Sequence, residues 1–192
     1  MNERRAVCVI LAAGASSRMG AQKLLLPLGG RTLLEHALDA AAGRPTVVVV
    51  SPALAGEVPA AEGWRVVLNE HPDRGMSHSL ALADAAVHDR GVPLVVLLAD
   101  TPGVDAGLVE RVVAALDAGA DVAYPVRNGV GGHPVAFGPR ARAMIAALPA
   151  GDTLRRLRDH PELTRATIAV SGPEPFVDVD TRADYERLSG AR

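Results

Sequence analysis

"AVCVILAAGASSRMGAQK", Ala6 to Lys23, is the stretch on which the reading of the whole chain turns. Its opening, AVCVIL, is a continuous apolar run, the pattern of a strand covered on both faces in a parallel sheet. The run then breaks into Ala12, Ala13, Gly14, Ala15, Ser16 and Ser17 before reaching Arg18 and Lys23. Side chains this small let backbone N–H groups face a ligand, and such a curve of donors makes an anion-binding concavity. Arg18 and Lys23 would add charge-assisted contacts to phosphate. Two familiar phosphate loops do not fit. G-x-G-x-x-G finds only Gly14 and Gly20, and GxxxxGK[ST] fails because Lys23 stands three positions beyond Gly20. On glycine spacing alone an ordinary β-α turn serves as well. Lys23 tips the balance, being the only lysine in the chain against nineteen arginines. The alternative to a chance lysine is a position that wants a compact point charge with rotatable donors.

Outward from this stretch, TVVVV (46–50), RVVL (65–68) and PLVVLLA (93–99) repeat the buried-strand pattern. Helical patterns lie between them. Thr32 and Glu35 make a capping box before LLEHALDAAA, Ser77 or Ser79 opens LALADAAVH, and Asp105 opens GLVERVVAALDAG, which stops at a glycine. The β-α-β-α order predicts a Rossmann-like three-layer α/β/α sandwich with a mostly parallel sheet and right-handed crossovers. After Asp121 the rhythm changes. DVAYPVRNGVGGHPVAF reads as extended segments around a turn at Asn128-Gly129, followed by helices near 139–148 and 152–159. Strands ATIAV and FVDVD and a last helix, RADYERL, complete the chain. The late section is expected to add one or two antiparallel strands and a lid over one end of the sheet.

Composition narrows the class. At 192 residues the chain reads as one domain, residues 1–192, with a core of Val, Ala and Leu because aromatics are only 3%. Its 19 glycines and 14 prolines are spread out, which indicates many turns rather than a disordered linker. A net charge of -2 offers no footprint for nucleic acid or an anionic membrane. Cys8 has no partner for an internal disulfide or a structural zinc site, and reads as a small buried hydrophobe. MNERRAVCVILAAGAS imitates a signal peptide, but its apolar stretch is short and runs into the loop above. No segment approaches the roughly 20 apolar residues of a membrane span. The expectation is a soluble cytoplasmic protein.

LAAGASSRMGAQKLLLPLGG closely resembles the opening signature of the MobA-like nucleotidyltransferases, L-A-[AG]-G-x-S-x-R-M-G-x-x-K. The resemblance runs from Val7 to Leu188; the first motif is highly specific and the later ones are short. Within that superfamily the later motifs look most like the molybdenum cofactor cytidylyltransferases. The resemblance implies a nucleoside triphosphate on the loop, with Leu11, Ala12, Ala13 and Gly14 on the nucleotide and Arg18 and Lys23 on its phosphates.

A triphosphate brings Mg²⁺, which takes one or two carboxylates with phosphate oxygens and water. Asp100 ends the most hydrophobic strand, VVLLAD, and so projects at the ligand-bearing edge of an α/β sheet. Taken alone it serves equally as a turn cap before Thr101-Pro102. Family members carry D-x-P here, and the resemblance implies a metal ligand. In FVDVDT, Asp178 and Asp180 are two apart and would share one face of a strand. Asp180 can cap the last helix, which leaves Asp178 as the expected metal partner. The family's D-[IV]-D-T-x-x-D run is completed here by Asp184.

Asn69, Gly75, Ser77 and Ser79 follow the third strand and can hydrogen-bond a base or ribose, or form a polar loop with a serine cap. The resemblance supports contact through Asn69, Gly75 and Ser79, which match N-x5-G and a serine four residues on. In GGHP, His133 precedes a proline and is held extended, as a phosphate ligand or a packed turn residue. The G-H-P triplet points to the cytidylyl branch and assigns Gly132, His133 and Pro134 to the acceptor. The other histidines lack H-E-x-x-H spacing.

The expected reaction is transfer of CMP from CTP to the terminal phosphate of molybdopterin or molybdenum cofactor, with release of pyrophosphate. The expected parts are Mg²⁺ on Asp100 and Asp178, Arg18 and Lys23 on the phosphates, and no protein nucleophile. A molybdoenzyme or its maturation chaperone would be the partner, with no nucleic acid or membrane. Three alternatives differ in kind. A related transferase would use GTP or a sugar-phosphate acceptor. A non-catalytic nucleotide- or cofactor-binding module would not need both carboxylates. An interaction protein would leave the lone lysine unexplained.

Overall fold

All six residues of strand β1 (Val7–Ala12) are buried, because the strand lies inside a sheet with helices on both faces. The computed structural model describes residues 6–14, 21–59, 63–172 and 176–190, without the side chains of 21 and 22. A 3-10 turn, Ala21–Leu25, leads to the short hairpin of β2 (Pro27–Leu28) and β3 (Arg31–Thr32) and then α1 (Leu33–Ala40). There follow β4 (Thr46–Val50), β5 (Trp64–Leu68), α2 (Met76–Ala86), β6 (Leu94–Leu98) and α3 (Ala106–Asp117). The late section holds β7 (Val122–Arg127), β8 (Val130–Gly131), β9 (Val135–Phe137), α4 (Pro139–Arg142), α5 (Leu154–Arg158), β10 (Arg165–Ala169) and α6 (Arg182–Gly190).

The main sheet runs β10-β7-β9-β6-β1-β4-β5, with β8 added to β7. β1 is parallel to both neighbours, with Ile10 opposite Val48 on one side and Leu97 on the other. β8 and β9 are the antiparallel members of an otherwise parallel sheet, as the late change of rhythm predicts. The period of two along each strand sorts the core into two layers. Cys8, Ile10, Val48, Val50, Val95 and Leu97 pack with α1 and α3. Val9, Val47, Val49, Leu94 and Val96 pack with α2 and the late helices. Each such side chain contributes about 1.5–3 kcal/mol of burial, and small branched residues in number replace the missing aromatics.

Local signals in the sequence are realised where no distant group competes. Thr32 Oγ1 accepts from the Glu35 N–H at 3.1 Å, and the Glu35 carboxylate accepts from the Thr32 N–H at 2.6 Å. Asp105 caps α3 by accepting from the Leu108 N–H at 2.7 Å. Elsewhere the structure corrects the sequence reading. α2 opens at Met76 with Gly75 as its N-cap, not at a serine. Ser77 is used instead to donate to the Pro149 carbonyl, and Ser79 to receive Asn69. The helix expected over 139–148 breaks into α4 and a separate 3-10 turn, Ile145–Ala147, and that over 152–159 shortens to α5. FVDVD forms no strand; the Val179 N–H bonds the Asp100 carbonyl at 2.9 Å just beyond β6. Asp180 does not cap α6. Thr181 does, exchanging hydrogen bonds with Asp184 in a capping box.

One polar cluster holds the far side of the sheet. Arg142 is fully buried and donates to Asp84 Oδ1 at 2.6 Å and to the carbonyls of Val87 and Val92 at 2.6 and 2.7 Å. It thereby fastens the end of α2 and the loop into β6. Arg142→Met removes every one of these donors and leaves Asp84 with only the exposed Arg90 as a partner, at an expected cost of about 2–4 kcal/mol. Chemical denaturation measures it; a loss below about 1 kcal/mol would contradict this role. Among the described residues no helix is long and apolar enough to cross a membrane.

Candidate active site

The chain leaves β1 for β4 and β5, then returns to place β6 on the other side of β1. At that reversal the carboxyl ends of the strands part, and an open α/β sheet binds ligands in the resulting crevice. Here β1 runs out through Ala12, Ala13 and Gly14, and β6 through Ala99 and Asp100, with the Ala99 N–H on the Leu11 carbonyl at 3.2 Å. A cavity of about 410 Å³ opens between them. Its walls include Leu11, Ala12, Ala13, Gly14, Lys23, Gly75, Ser79 and Asp100, all expected from sequence, and also Asp180. Arg18 lies outside the described residues.

Lys23 sits at the centre. Its ammonium donates to Asp100 Oδ2 at 2.9 Å and to Asp180 Oδ1 at 3.2 Å, and the residue is only 7% exposed. Burial alone would lower its pKa, but the Asp100 and Asp180 carboxylates outweigh that and hold the pKa above the ordinary lysine value. The side chain therefore keeps its charge. A compact ammonium on a flexible stem can turn toward two carboxylates inside a narrow wall, which a planar guanidinium fits less readily.

Asp178 accepts a hydrogen bond from Thr101 Oγ1 at 2.8 Å. Burial raises its pKa, and the nearby charges of Asp100 and Asp180 add to the rise against the Thr101 hydrogen bond. Two carboxylates thus contact the ammonium and a third lies within reach of their charge, so that among the described residues negative charge here exceeds positive. Hard oxygen donors with excess negative charge suit a divalent cation of the Mg²⁺ type. Among the described residues no three His, Cys, Asp or Glu side chains form a ready cage. Any cation here would complete its shell with substrate oxygens and water.

The base-side residues divide. Gly75 and Ser79 line the cavity, whereas Asn69 is wholly buried. Asn69 donates from Nδ2 to Ser79 Oγ at 2.9 Å and accepts from the His71 N–H at 2.9 Å. It positions the loop and Ser79 rather than forming the cavity wall, a correction to its expected ligand contact. Gly75 has φ +82°, and a Cβ there would lie 3.0 Å from the Gly151 backbone, so glycine is required.

A second cavity of about 490 Å³ adjoins the first, sharing Met76 and Leu98 with it. Gly132, His133 and Asp178 line it; Pro134 is buried and not part of its wall. His133 Nδ1 is buried and has no hydrogen-bond partner among the described residues. Burial pushes the imidazole pKa down to about 4, so the ring is neutral at pH 7 and brings no positive charge for a phosphate. Arg155 and Arg158 supply charge to this cavity instead. No sequence signal separated them from the other arginines, and none revealed the partnerships of Asp180 or Thr101.

The MobA-like NTP transferase domain family matches residues 8–167. Molybdenum cofactor guanylyltransferase of Xanthomonas euvesicatoria pv. vesicatoria (strain 85-10) is 33% identical over 190 residues, covering 94% of this chain and 92% of that protein. Bifunctional protein GlmU of Maricaulis maris (strain MCS10) is 38% identical over 123 residues, 60% of this chain. The chain spans only 27% of that GlmU protein's length. The crystal structure of Rv0371c from Mycobacterium tuberculosis H37Rv superposes with a TM-score of 0.84 at 30% identity, covering 97% of this chain and 98% of that one. A structure of Rv0371C in complex with manganese gives 0.83 at 30% identity, covering 98% and 100%.

The neutral His133 ring, its Nδ1 shielded from water, has a consequence for stability. Its folded pKa of about 4 lies below the ordinary 6.5, so below pH 6.5 the unfolded chain takes up a proton that the folded chain excludes. Stability is expected to fall between pH 6.5 and 4 by on the order of 3 kcal/mol from this residue. Denaturant titrations at several pH values should show a shallower acid slope in His133→Gln than in wild type; equal slopes would contradict the burial argument.

Proposed function

The chain belongs to the MobA-like NTP transferase family, and on that premise we propose that it transfers a nucleoside monophosphate to a molybdopterin-type acceptor. The observation that carries the proposal is the pair of adjoining cavities with Lys23, Asp100 and Asp180 on one and Asp178 on the other. One holds the nucleoside triphosphate and the other the acceptor. A terminal phosphate oxygen of the acceptor attacks the α-phosphorus in line. The bond from the α-phosphorus to the bridging oxygen breaks, and pyrophosphate leaves with that electron pair. No protein nucleophile is needed; the barrier falls through positioning and charge neutralisation.

Lys23 and Arg18 hold the phosphates, and the backbone of Ala12, Ala13 and Gly14 meets the nucleotide. Mg²⁺, held by Asp100 and Asp178, would neutralise phosphate charge when bound. The carboxylate excess supports this, as does the manganese complex of a protein 30% identical. We assign CTP as the nucleotide, because the G-H-P triplet at Gly132–Pro134 resembles the cytidylyl branch. GTP is the second reading, favoured by the guanylyltransferase that is 33% identical over 94% of the chain. A single domain over all 192 residues, a cytoplasmic location and a molybdoenzyme or its maturation chaperone as recipient complete the proposal.

Pyrophosphate release tests it, with Mg²⁺ and each of the four NTPs in the presence and absence of molybdenum cofactor. Release with CTP only when the cofactor is present supports the assignment. GTP preference moves it to the second reading, and no release with any NTP contradicts it. Lys23→Ala and Asp100→Ala are each expected to lower turnover by about 100-fold or more with the fold intact. Near-normal rates in either would remove that residue from the machinery.

A further inference from the structure

The second cavity contains an arginine held in an unusual way. Arg158 lies over the Tyr124 ring, 4.7 Å from its centroid. Its Nε and Nη2 donate to the two oxygens of Asp159 at 2.7 and 2.8 Å. That fork-to-carboxylate grip occupies one edge of the guanidinium and fixes its plane. The other edge, Nη1, lies across Gly131, where a Cβ would come within 2.5 Å of it and within 3.0 Å of Tyr124. Gly131 has an ordinary backbone conformation, with no positive φ to demand glycine. The absent side chain instead makes room for the guanidinium. Nη1 has no protein acceptor among the described residues, and both Arg158 and Gly131 line the cavity.

The formal charges around this cavity balance: Asp159 pairs with Arg158, and exposed Arg155 on the same wall stands against Asp178. Asp178 is the one carboxylate among the lining residues, and it is tied to Thr101. An immobilised guanidinium edge with no protein acceptor suits a phosphate oxygen.

We propose that Arg158 is the anion anchor of the acceptor cavity, its free Nη1 edge taking a phosphate-monoester oxygen of the acceptor across Gly131. The proposal rests on the two-cavity reading above and adds a specificity-determining residue to it. Acceptors without a phosphate monoester lose this contact and are excluded.

Inorganic phosphate is the probe, titrated by calorimetry into protein whose nucleotide site is filled with the non-hydrolysable α,β-methylene analogue of CTP or GTP, whichever binds. Saturable phosphate binding is expected in wild type, weakened about tenfold or more in Arg158→Gln. Gly131→Ala keeps the charge but displaces the guanidinium, and is expected to weaken phosphate binding in the same direction. Affinity for the nucleotide analogue should stay unchanged in both, which also reports an intact fold. In turnover the acceptor KM should rise while kcat holds, the pattern of a lost binding contact. Phosphate binding that is absent in wild type, or equal in Arg158→Gln, overturns the proposal. The phosphate measurement uses no molybdopterin. Arg158-dependent binding without transfer to molybdenum cofactor would therefore fault the acceptor's identity and leave the anchor in place.

Discussion

A buried ammonium between two carboxylates organises this molecule. Lys23 reaches from the turn after β1, Asp100 from the end of β6, and Asp180 from the segment before α6. Three stretches far apart in sequence are thus tied at one end of the sheet. Taking an ammonium out of water is costly unless opposite charges lie at contact distance, so the site exists only while all three stretches are in place. The sheet supplies that placement. β1 lies between β4 and β6, so the strand ends carrying the small-residue loop and Asp100 open side by side.

The same arrangement explains the division of labour between the two cavities. The first is walled by the small residues after β1, which bring backbone rather than side chains to a ligand. The second is walled by the late hairpin and α5, which bring arginines and a neutral histidine. Asp178 lies on the second and senses the charges of Asp100 and Asp180 beside the first. Negative charge concentrated where two phosphate-bearing substrates are proposed to meet is unfavourable unless cations join them, which is why the lysine and a divalent cation belong to one account.

Much of this was legible from local sequence. Buried-strand runs, the Thr32 and Glu35 capping box, the Asp105 cap and the small-residue loop depend on neighbours within a few positions. Lys23 stood out by rarity, and Asp100 by its place after the most apolar strand. What escaped depends on partners distant in the chain. Asp180 looked like a helix cap because its ammonium partner lies 157 positions away, while Thr181 performed the local task. Asn69 looked like a ligand contact because its burial against Ser79 and the His71 N–H follows from how the loop folds over α2. FVDVD alternated like a strand, yet among the described residues its backbone bonds β6's end only through the Val179 N–H and the Asp100 carbonyl. Arg158 was hidden among many arginines, and only the bare Gly131 opposite it marks it out.

Because the chain has a single lysine, its ammonium can be observed alone. Lysine labelled with ¹⁵N at Nζ gives one side-chain resonance, followed through a pH titration and on addition of NTP with Mg²⁺. Paired with its carboxylates, the ammonium should titrate above the ordinary lysine value of 10.5 in the free protein, lower when Asp100 is replaced by asparagine, and its resonance should shift on nucleotide binding. A pKa at or below the ordinary value, or a resonance that nucleotide leaves unmoved, would contradict this role for Lys23.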